Sequence, residues 1–547
     1  MAQLTLGPML RFAGETDATV WVETDASCEV EILGRMTRTF CVAGHHYALV
    51  VLEGLEPDAS YEYSVQLDGV KVWPGDDDRK GLIRTTSQTT RLNLAFGSCR
   101  KAVPHEPPYT QSEDWGPRGK GVDSLVALAQ RMKERPQPEW PDALLLIGDQ
   151  VYADVVSPGV AERIEGRRST DEGAGEQIAD FEEYTWLYEE SWGQEEIRWL
   201  LASLPSIMIF DDHDVIDDWN TSGTWVEQQR RESWWRERLI GAYMSYWIYQ
   251  HLGNLSPSEL AEEPILAAVL GQEGDAEPVL REFAAKAADE VAATRWSFHR
   301  DFGRSRLIVL DSRAGRIIER DDSRQMLSDQ QWDWVHDKLQ GDFDHLMIAS
   351  SVPMLLSQGL HHLEGWNEAV CAGAWGGAAR RPAEAVRQAI DLEHWPAFRH
   401  CFDRLFDEIE VLGSGDPDEV PASVILLSGD VHHAYLATAE YPAESKFKPQ
   451  LVQAVCSPIR NPLLFYERVL MRAALSRTGR SIGHFLARAA KVPPTRLRWE
   501  FVQPPTFDNQ IGTVEIEGRS ARIRIEKTNS GDWHKPELKP SLCCDVT

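Results

Sequence analysis

Short apolar runs that stop at a charged or sulfur-containing residue recur along this chain. In residues 142–154, DALLLIGDQVYAD, four apolar positions are followed by Gly148 and then by Asp149. Such a run is typical of a buried strand, and an acidic residue at the carboxyl end of a strand marks the ligand-binding edge of an open α/β sheet. The same construction occurs in 92–99 (LNLAFGSC), 206–214 (SIMIFDDHD), 306–311 (RLIVLD) and 424–433 (VILLSGDVHH).

The pattern also divides the chain. Residues 1–86 form short alternating runs rich in β-branched and aromatic residues, which predicts an all-β region. The segment 54–65, GLEPDASYEYSV, resembles the corner of a fibronectin type III or immunoglobulin-like sandwich. From residue 91 onward strands alternate with helical segments, which predicts an α/β fold with a buried sheet. We therefore expect a β-sandwich over 1–86, a catalytic domain over 91–527 and a C-terminal tail over 528–547.

Several local elements can be predicted within the second part. Residues 122–135 and 325–339 have helical periodicity, whereas 157–176, SPGVAERIEGRRSTDEGAGE, is polar and glycine-rich and predicts an exposed loop. Residues 178–250 are helical and rich in tryptophan, which indicates core packing for most of these side chains. Residues 510–527 predict a closing β-hairpin with its turn at 517–520.

The composition of the chain excludes some classes of function. A net charge of −30 repels phosphate backbones, so we expect no stable nucleic-acid binding. Bound metal ions can reverse the local sign and admit a small phosphate-ester substrate. The eight cysteines show no CxxC pattern, which is typical of free thiols in a reducing compartment. The N-terminus lacks a basic start followed by an apolar core, and no apolar run approaches the roughly 20 residues of a membrane span. We therefore predict a cytoplasmic protein without a transmembrane segment.

The polar residues at the predicted strand ends suit a metal centre. Two-metal hydrolysis needs oxygen and imidazole ligands, with one carboxylate between the ions, so that hydroxide forms at neutral pH and the charge of the transition state is neutralised. If extended geometry continues after 428, alternation places Asp430 and His432 on one side and directs Val431 and His433 away. The candidates are Asp149, Asp212, His213, Asp430 and His432.

Cys99 follows its strand in the same manner as the acidic residues. A thiolate beside a phenolate, Cys99 with Tyr152, suits an oxidised iron better than magnesium or calcium. A buried cysteine without chemistry and a nucleophilic cysteine are the alternatives. Two arginines, Arg100 and Arg313, have the geometry to hold a phosphate oxygen or a structural carboxylate.

Residues 468–498 contain eight arginine or lysine residues and no aspartate or glutamate. One interpretation is a basic helical face that packs on the acidic body of the protein. The other is a patch for an anionic substrate or a membrane surface.

Taken together, these motifs resemble the PhoD-type alkaline phosphatases, a branch of the calcineurin-like metallophosphoesterases. The resemblance rests on an ordered set of motifs, FGSCR (96–100), GDQVYAD (148–154), FDDHDVIDDW (210–219), LDSR (310–313), LSDQQWDW (327–334) and GDVHHA (429–434). It implies an α/β fold of four αββα layers with helical insertions, preceded by an all-β sandwich. Members that resemble this chain are phosphomonoesterases and phosphodiesterases, and many are exported.

The resemblance also implies cofactors and roles. The family carries a ferric iron and calcium ions, and other divalent metals are compatible with the same ligands. The iron ligands would include Cys99, Asp149, Tyr152 and His432, with Asp149 bridging to calcium and Asp430 nearby. Asp212 takes the position of an asparagine ligand in the wider superfamily, and Asp218 is a further candidate ligand. His213 takes the place of the acid that assists the leaving group.

The sequence therefore predicts hydrolysis of phosphate monoesters or diesters by a metal-bound hydroxide. Two alternatives remain at this point, a metal-dependent hydrolase of a non-phosphate ester or amide and a non-catalytic module that keeps the metal for structure. The sequence leaves the oligomeric state open.

Overall fold

Short strands occupy the first 84 residues of the chain. The structure, a computed structural model, describes residues 1–75, 79–87, 90–116, 118–318, 324–416, 419–529 and 532–547. The N-terminal strands are β1 (Leu4–Ala13), β2 (Asp17–Thr24), β3 (Glu29–Ile32), β4 (Arg35–Arg38), β5 (Phe40–Val42), β6 (His45–Glu53), β7 (Ser60–Tyr63), β8 (Val65–Leu67), β9 (Val70–Trp73) and β10 (Gly81–Arg84).

These strands pair in two main sheets, in the orders β1-β2-β6-β5 and β4-β3-β8-β9, and β10 pairs with β7. Alternate side chains such as Val20, Val22, Val50 and Leu52 point inward and form one apolar core. The prediction of an all-β N-terminal region is confirmed.

The rest of the chain alternates strands and helices. Its strands are β11 (Arg91–Gly97), β12 (Ala143–Ile147), β13 (Ser206–Ile209), β14 (Phe298–Phe302), β15 (Ser305–Leu310), β16 (Ile317–Ile318), β17 (Arg324–Gln325), β18 (His345–Ser350), β19 (Ser423–Ser428), β20 (Tyr435–Glu440), β21 (Gln450–Val455), β22 (Arg498–Phe501), β23 (Gln510–Glu517), β24 (Ser520–Thr528) and β25 (Leu538–Asp545). Its α-helices are α1 (Ser124–Glu134), α2 (Pro158–Arg167), α3 (Phe181–Trp192), α4 (Glu195–Ser203), α5 (Gly223–Gln229), α6 (Trp235–Ser245), α7 (Pro257–Glu262), α8 (Pro264–Leu270), α9 (Glu277–Asp289), α10 (Asp329–Lys338), α11 (Gln358–Cys371), α12 (Gly377–Ala389), α13 (Arg399–Leu412), α14 (Phe465–Ala474) and α15 (Arg477–Ala489).

Two large sheets form the centre of this part. The first has the order β13-β12-β11-β23-β24-β25 and the second β14-β15-β18-β19-β21-β20-β22. Within them β11, β12 and β13 are parallel, as are β15, β18, β19 and β21. The runs in these strands are apolar on both faces because both faces are covered. In β15, Leu307 and Val309 face the first sheet, whereas Ile308 and Leu310 face a core with α10 and α13. The order of layers is helix, sheet, sheet, helix, which confirms the predicted fold class.

The N-terminal sandwich packs on the α/β part of the chain through polar as well as apolar contacts. The guanidinium of Arg11, which is fully buried, donates hydrogen bonds to the backbone carbonyls of Ser206, Tyr249 and Gln250. The imidazole of His45 lies between Glu23, at 3.0 Å, and Glu182 of α3, at 2.8 Å. The first residue of β13 is therefore held by a side chain from β1.

Two predictions about local structure were wrong. The segment predicted as a loop at 157–176 contains α2, because Ser157 caps the helix by accepting from the N–H of Val160, and Val160 and Ile164 bury one apolar face. The segment predicted as a tail at 528–547 contains β25, which pairs with β24 and extends the first sheet. The apolar positions of both segments are too sparse for their periodicity to show in the sequence.

Other local predictions were confirmed. The hairpin forms from β23 and β24, with Glu517 paired to Ser520 at the turn. Helices α1 and α10 occupy the segments predicted as helical.

Among the described residues, no helix has both the length and the apolar character needed to cross a membrane.

Candidate metal centre and its cleft

The carboxyl ends of parallel strands from both sheets meet at one place. Cys99 follows β11, Asp149 follows β12, Asp211 and Asp212 follow β13, and Asp430 and His432 follow β19. Because parallel strands end on the same edge of a sheet, these side chains are brought together although they are far apart in sequence.

Their ligand atoms form three overlapping groups, each spanning less than 4.8 Å. The groups are Cys99–Asp149–His432, Asp149–Asp212–His213 and Asp211–Asp212–Asp430. Asp149 belongs to the first and second groups, and Asp212 to the second and third. The hydroxyl of Tyr152 lies 3.4 Å from Oδ2 of Asp149 and accepts a hydrogen bond from Asn461, at 3.1 Å. Six of the seven predicted metal-binding residues are thus close to one another.

The seventh predicted ligand, Asp218, belongs to none of these three groups. Its backbone N–H donates to Oδ2 of Asp212, at 3.1 Å, and its side chain faces the cleft. Burial, together with the negative charges of Glu393 and Asp391, raises the pKa of Asp218 to about 9. Its role as a metal ligand stays a prediction.

The backbone is strained where the ligand atoms lie. Cys99, Asp149, Asp218, Asp430 and His432 all have positive φ, between 50° and 66°. This region is uncommon for residues other than glycine and costs about 1–3 kcal/mol at each position, so it persists only where the surroundings enforce it. Five of the seven predicted metal-binding residues share this feature, and such strain is found most often at functional sites.

A tight turn places Asp430 and His432. Strand β19 ends at Ser428, and the N–H groups of Val431 and His432 donate to the carbonyls of Gly429 and Asp430, at 2.9 and 2.8 Å. The prediction that extended alternation directs these side chains was therefore wrong, although both reach the site. His433 lies outside the groups of ligand atoms, and its imidazole donates to the carbonyl of Val431, at 2.7 Å.

The cluster has the features expected of a cation site. Oδ1 of Asp149 and Oδ2 of Asp211 are buried and have no hydrogen-bond partner among the described residues. Burial and the neighbouring carboxylates raise the pKa of Asp149 well above its usual value, and burial raises the pKa of Asp212 to about 6. Unpartnered oxygens and mutual repulsion are both relieved by bound cations, so the donor set fits metal ions.

The sulfur of Cys99 lies within 4.8 Å of ligand atoms of Asp149 and His432. Its side chain is fully buried, so a substrate cannot reach the sulfur. Burial and the charges of Asp149 and Asp430 raise the pKa of the thiol, whereas the hydroxyl of Ser457 donates to Sγ, at 3.1 Å. A cation beside the sulfur would favour the thiolate that such a donor stabilises.

Neither of the two candidate arginines is available to a phosphate. Arg313 is fully buried among four carboxylates, and it donates to Asp211 and Glu393 while lying 3.4 Å from Asp212 and Asp430. Arg100 donates to Asp123, Ser191 and Gln194 on the other side of the strand ends. Both guanidinium groups are structural, and Arg313 offsets part of the negative charge of the cluster.

His213 is held by a carboxylate that the sequence analysis did not single out. Nδ1–H of His213 donates to Asp154, at 2.9 and 3.0 Å to its two oxygens, and the imidazole packs on the ring of Tyr152 with 4.6 Å between centroids. Burial alone would lower the pKa of His213, but the carboxylates of Asp154, Asp212 and Asp149 together outweigh it, and the pKa is raised well above its usual value. With Nδ1 engaged, Nε2 is the nitrogen left for a substrate.

Asp214 has a structural role. Its carboxylate accepts from four backbone N–H groups, those of Asp149, Gln150, Val151 and Asp211, at 2.8–3.2 Å. These bonds tie the loop after β12 to the loop after β13. The Asp149 and Asp212 side chains are thereby fixed relative to each other.

A cleft of about 370 Å³ opens above the cluster. Asp212, His213 and Asp430 lie at its base, and its walls include α11 and α14. None of the described residues that line it is a lysine or an arginine. The cleft carries several carboxylates from elsewhere in the chain, Asp217, Glu364, Asp391, Glu393 and Glu467.

The part of this site formed by Glu393 and His394 was not predicted from the sequence. Nε2 of His394 lies 3.2 Å from Oδ2 of Asp430, and its Nδ1 is 2.6 Å from Glu364 of α11. Glu393 binds Arg313 and Arg316. These residues follow α12 in a loop without a preceding apolar run, so no strand-end signal marked them. Asp211 and Asp154, by contrast, lie inside motifs that were recognised.

Two stacked mixed sheets, with carboxylate, imidazole, thiol and phenol groups at the ends of their parallel strands, form a fold and a donor set typical of a metal-dependent phosphatase. The family model described as PhoD-like phosphatase matches residues 124–481, which is more than half of the chain. The protein therefore belongs to the PhoD-like phosphatase family. Residues 1–85 match a separate model, a domain of unknown function (DUF7800).

One solved structure supports the fold. A structure described as PhoD aligns over 99% of this chain and 90% of its own length, with a TM-score of 0.59 and 14% sequence identity. A purple acid phosphatase, PPD1, from yellow lupin (Lupinus luteus) seeds aligns over 98% of this chain and 74% of its own, with a TM-score of 0.48 and 12% identity. Sequence comparison with curated proteins gives no match.

Proposed function

We propose that this member of the family hydrolyses phosphate monoesters and diesters in the cleft above the cluster. The observation that carries the proposal is the chain of three ligand groups joined through Asp149 and Asp212. Shared carboxylates of this kind hold neighbouring ions, which is the arrangement that in-line displacement at phosphorus requires. The remaining features of the site are consistent with this chemistry.

The residues suggest how two kinds of ion would be divided. Cys99, Tyr152 and His432, with one oxygen of Asp149, offer sulfur, phenol and imidazole donors that suit ferric iron. Asp211, Asp212 and Asp430 offer only oxygen, which suits calcium or another hard divalent ion. When bound, the ions supply an activated water and neutralise charge on the phosphoryl group.

The side chains of the protein hold the carboxylates of the site in place and supply a proton to the leaving alcohol. Asp154 orients the ring of His213 and stabilises its imidazolium, so that Nε2–H can donate to the oxygen of the leaving alcohol. Arg313 holds Asp211 and Glu393 in place, and His394 does the same for Asp430. None of these side chains needs to move during the reaction.

The cleft offers a phosphate no lysine or arginine among the described residues. Every charged residue that lines it among those described is acidic or a histidine. A phosphate ester would be repelled by these carboxylates in the absence of ions, because like charges in a partly buried site interact strongly. Substrate binding as well as chemistry therefore depends on the metals.

We further propose that residues 1–86 and 91–527 are the two domains, with β25 added to the second. The cytoplasmic location and a small phosphate ester as the natural substrate stay predictions.

Elemental analysis combined with a visible spectrum tests the proposal most directly. We expect iron together with a second, hard metal, and a tyrosinate-to-iron charge-transfer band that disappears in Tyr152→Phe. Tyr243→Phe is the matched control, because Tyr243 is equally buried but packs in an aromatic cluster away from the ligand groups. The band should be unchanged in that variant.

Activity completes the test. Metal-loaded protein should cleave phosphate esters and leave carboxylic esters intact. Full phosphatase activity in metal-free protein would overturn the proposal. Activity on carboxylic esters alone would favour the other hydrolase class.

A further inference from the structure

Helices α14 and α15 form a hairpin whose charge is opposite to that of the rest of the protein. We call residues 465–491 the basic hairpin. From residue 468 to residue 498 the chain has eight arginine or lysine residues and no acidic one, in a protein of net charge −30. Of the hairpin's cations, Arg468 pairs with Asp114, at 2.6 Å, and Arg472 lies over the ring of Phe507. Arg477, Arg480 and Arg488 are exposed and have no ion-pair partner among the described residues.

The same hairpin exposes large apolar side chains. Phe465, Tyr466 and Val469 of α14 are 65, 59 and 47% exposed, and Ile482 and Phe485 of α15 are 55 and 70% exposed. They recur at helical spacing, so each helix presents one apolar stripe to solvent. Single exposed apolar residues are ordinary, but clustered ones beside cations mark an interaction surface.

The other faces of the hairpin are already occupied. Helix α15 packs against α11 so closely that a Cβ on Gly483 would lie 2.4 Å from the carbonyl oxygen of Gly359. On α14, Glu467 and Met471 line the cleft of the metal centre. The apolar stripes therefore cannot turn inward, and the stripe of α14 lies on a helix that also lines the cleft.

We propose that the basic hairpin docks on the surface of an anionic lipid bilayer. Helices that lie in such an interface combine aromatic and aliphatic residues, which enter the headgroup region, with arginines, which bind lipid phosphates. Both stripes and the unpaired arginines of the hairpin meet this requirement. The acidic body of the protein is repelled by the same surface, which favours approach through the basic hairpin.

Docking in this orientation has a consequence that rests on the proposed function. Because α14 forms part of the cleft wall, the metal centre would open toward the bilayer. The enzyme would then act on phosphate esters presented at the surface in preference to the same esters in solution. Binding itself does not depend on catalysis and can be measured separately.

Co-sedimentation of the metal-loaded full chain with vesicles tests the proposal. Phosphatidylcholine vesicles that contain phosphatidylglycerol should bind the protein, and pure phosphatidylcholine vesicles should not. Free calcium is removed by desalting, so that it cannot bridge acidic residues to lipid. Ile482→Ser/Phe485→Ser should weaken binding by roughly tenfold or more, and Arg477→Gln/Arg488→Gln by roughly 30-fold.

Matched controls lie on the N-terminal sandwich. Leu33 and Met36 are 42 and 61% exposed beside Arg35 and Arg38. Leu33→Ser/Met36→Ser and Arg35→Gln/Arg38→Gln should bind vesicles as the unmodified protein does. All variants should keep activity on a soluble nitrophenyl phosphate, which shows that they are folded and separates this test from that of the proposed function.

Three results would overturn the proposal. The first is equal binding to both kinds of vesicle, and the second is unchanged vesicle binding in the hairpin variants. The third is a loss of self-association in those variants, measured by sedimentation velocity, while their vesicle binding is kept. The last result would assign the hairpin to an interface between copies of this chain.

Discussion

Replacing Asp154 with asparagine tests the role of His213 without removing it. Asp154 is 4% exposed and receives Nδ1–H of His213 at 2.9 Å, and it also accepts from the backbone N–H of Asp217. Asparagine keeps an acceptor of the same shape but removes the charge. The imidazole should stay in place, whereas the protonated form loses the carboxylate that stabilises it.

The size of the effect follows from the kind of bond that is weakened. A hydrogen bond to a charged partner contributes about 1.5–3 kcal/mol, which corresponds to roughly a 10- to 150-fold change in rate if it is fully expressed in the transition state. We expect a loss in this range for alkyl phosphates, whose leaving oxygen needs the proton, and little loss for nitrophenyl phosphate. His213→Ala should show the same selectivity with a loss of about 10²- to 10⁴-fold.

The pH profile should change in a defined direction. Asp154 raises the pKa of His213, so in the unmodified protein the imidazolium persists to higher pH. In Asp154→Asn the alkaline limb of kcat/KM for an alkyl phosphate should therefore move to lower pH. Asp217→Asn is the control. It also removes a carboxylate near His213, 3.8 Å from Nε2, but this carboxylate is 67% exposed and therefore interacts weakly with the imidazole. Equal losses for good and poor leaving groups would refute proton donation by His213.

Three further predictions concern the cluster. Metal-free protein should bind no inorganic phosphate in a calorimetric titration and should regain binding on reloading; undiminished binding without metal would contradict the electrostatic argument. Arg313→Met should lower the free energy of unfolding of metal-free protein by about 3–5 kcal/mol, because it leaves buried carboxylates uncompensated. Bound metal should restore part of the lost stability. Denaturant unfolding with and without metal measures the loss and its recovery. Burial raises the pKa of Asp212 from 3.8 to about 6, so the folded protein binds this proton more tightly than the unfolded chain does. Metal-free protein should therefore lose stability as the pH rises from 3.8 to about 6, whereas metal-loaded protein should not. Thermal melts in which both forms lose the same stability over this pH range would refute the prediction.

The strand-end residues could be found from the sequence because a buried parallel strand leaves a clear mark. The strands before Asp149, Asp212 and Asp430 are buried throughout, and the strand before Cys99 is buried over its last four residues. A residue just past such a run has to lie at the carboxyl edge of the sheet. That rule located the centre without any knowledge of how the two sheets pack.

The rule does not apply to residues that approach from the outer layers. Glu364 lies within α11 and His394 in the loop after α12, where neighbouring residues follow helical or irregular patterns. The contact of His394 with Asp430, and that of Glu364 with His394, depend on how the helical layer covers the second sheet, which is a long-range property. The structural roles of Arg100 and Arg313 were undecided for a related reason, since their acidic partners come from distant segments.

The Arg11 contact bears on how this protein can change during evolution. A side chain of the N-terminal sandwich satisfies the carbonyl of Ser206, where the strand that leads to Asp211 and Asp212 begins. If the sandwich were exchanged for an unrelated domain, that buried carbonyl and those of Tyr249 and Gln250 would lose their donor. The N-terminal region is therefore not a detachable accessory, and we expect the two parts to be inherited as one unit.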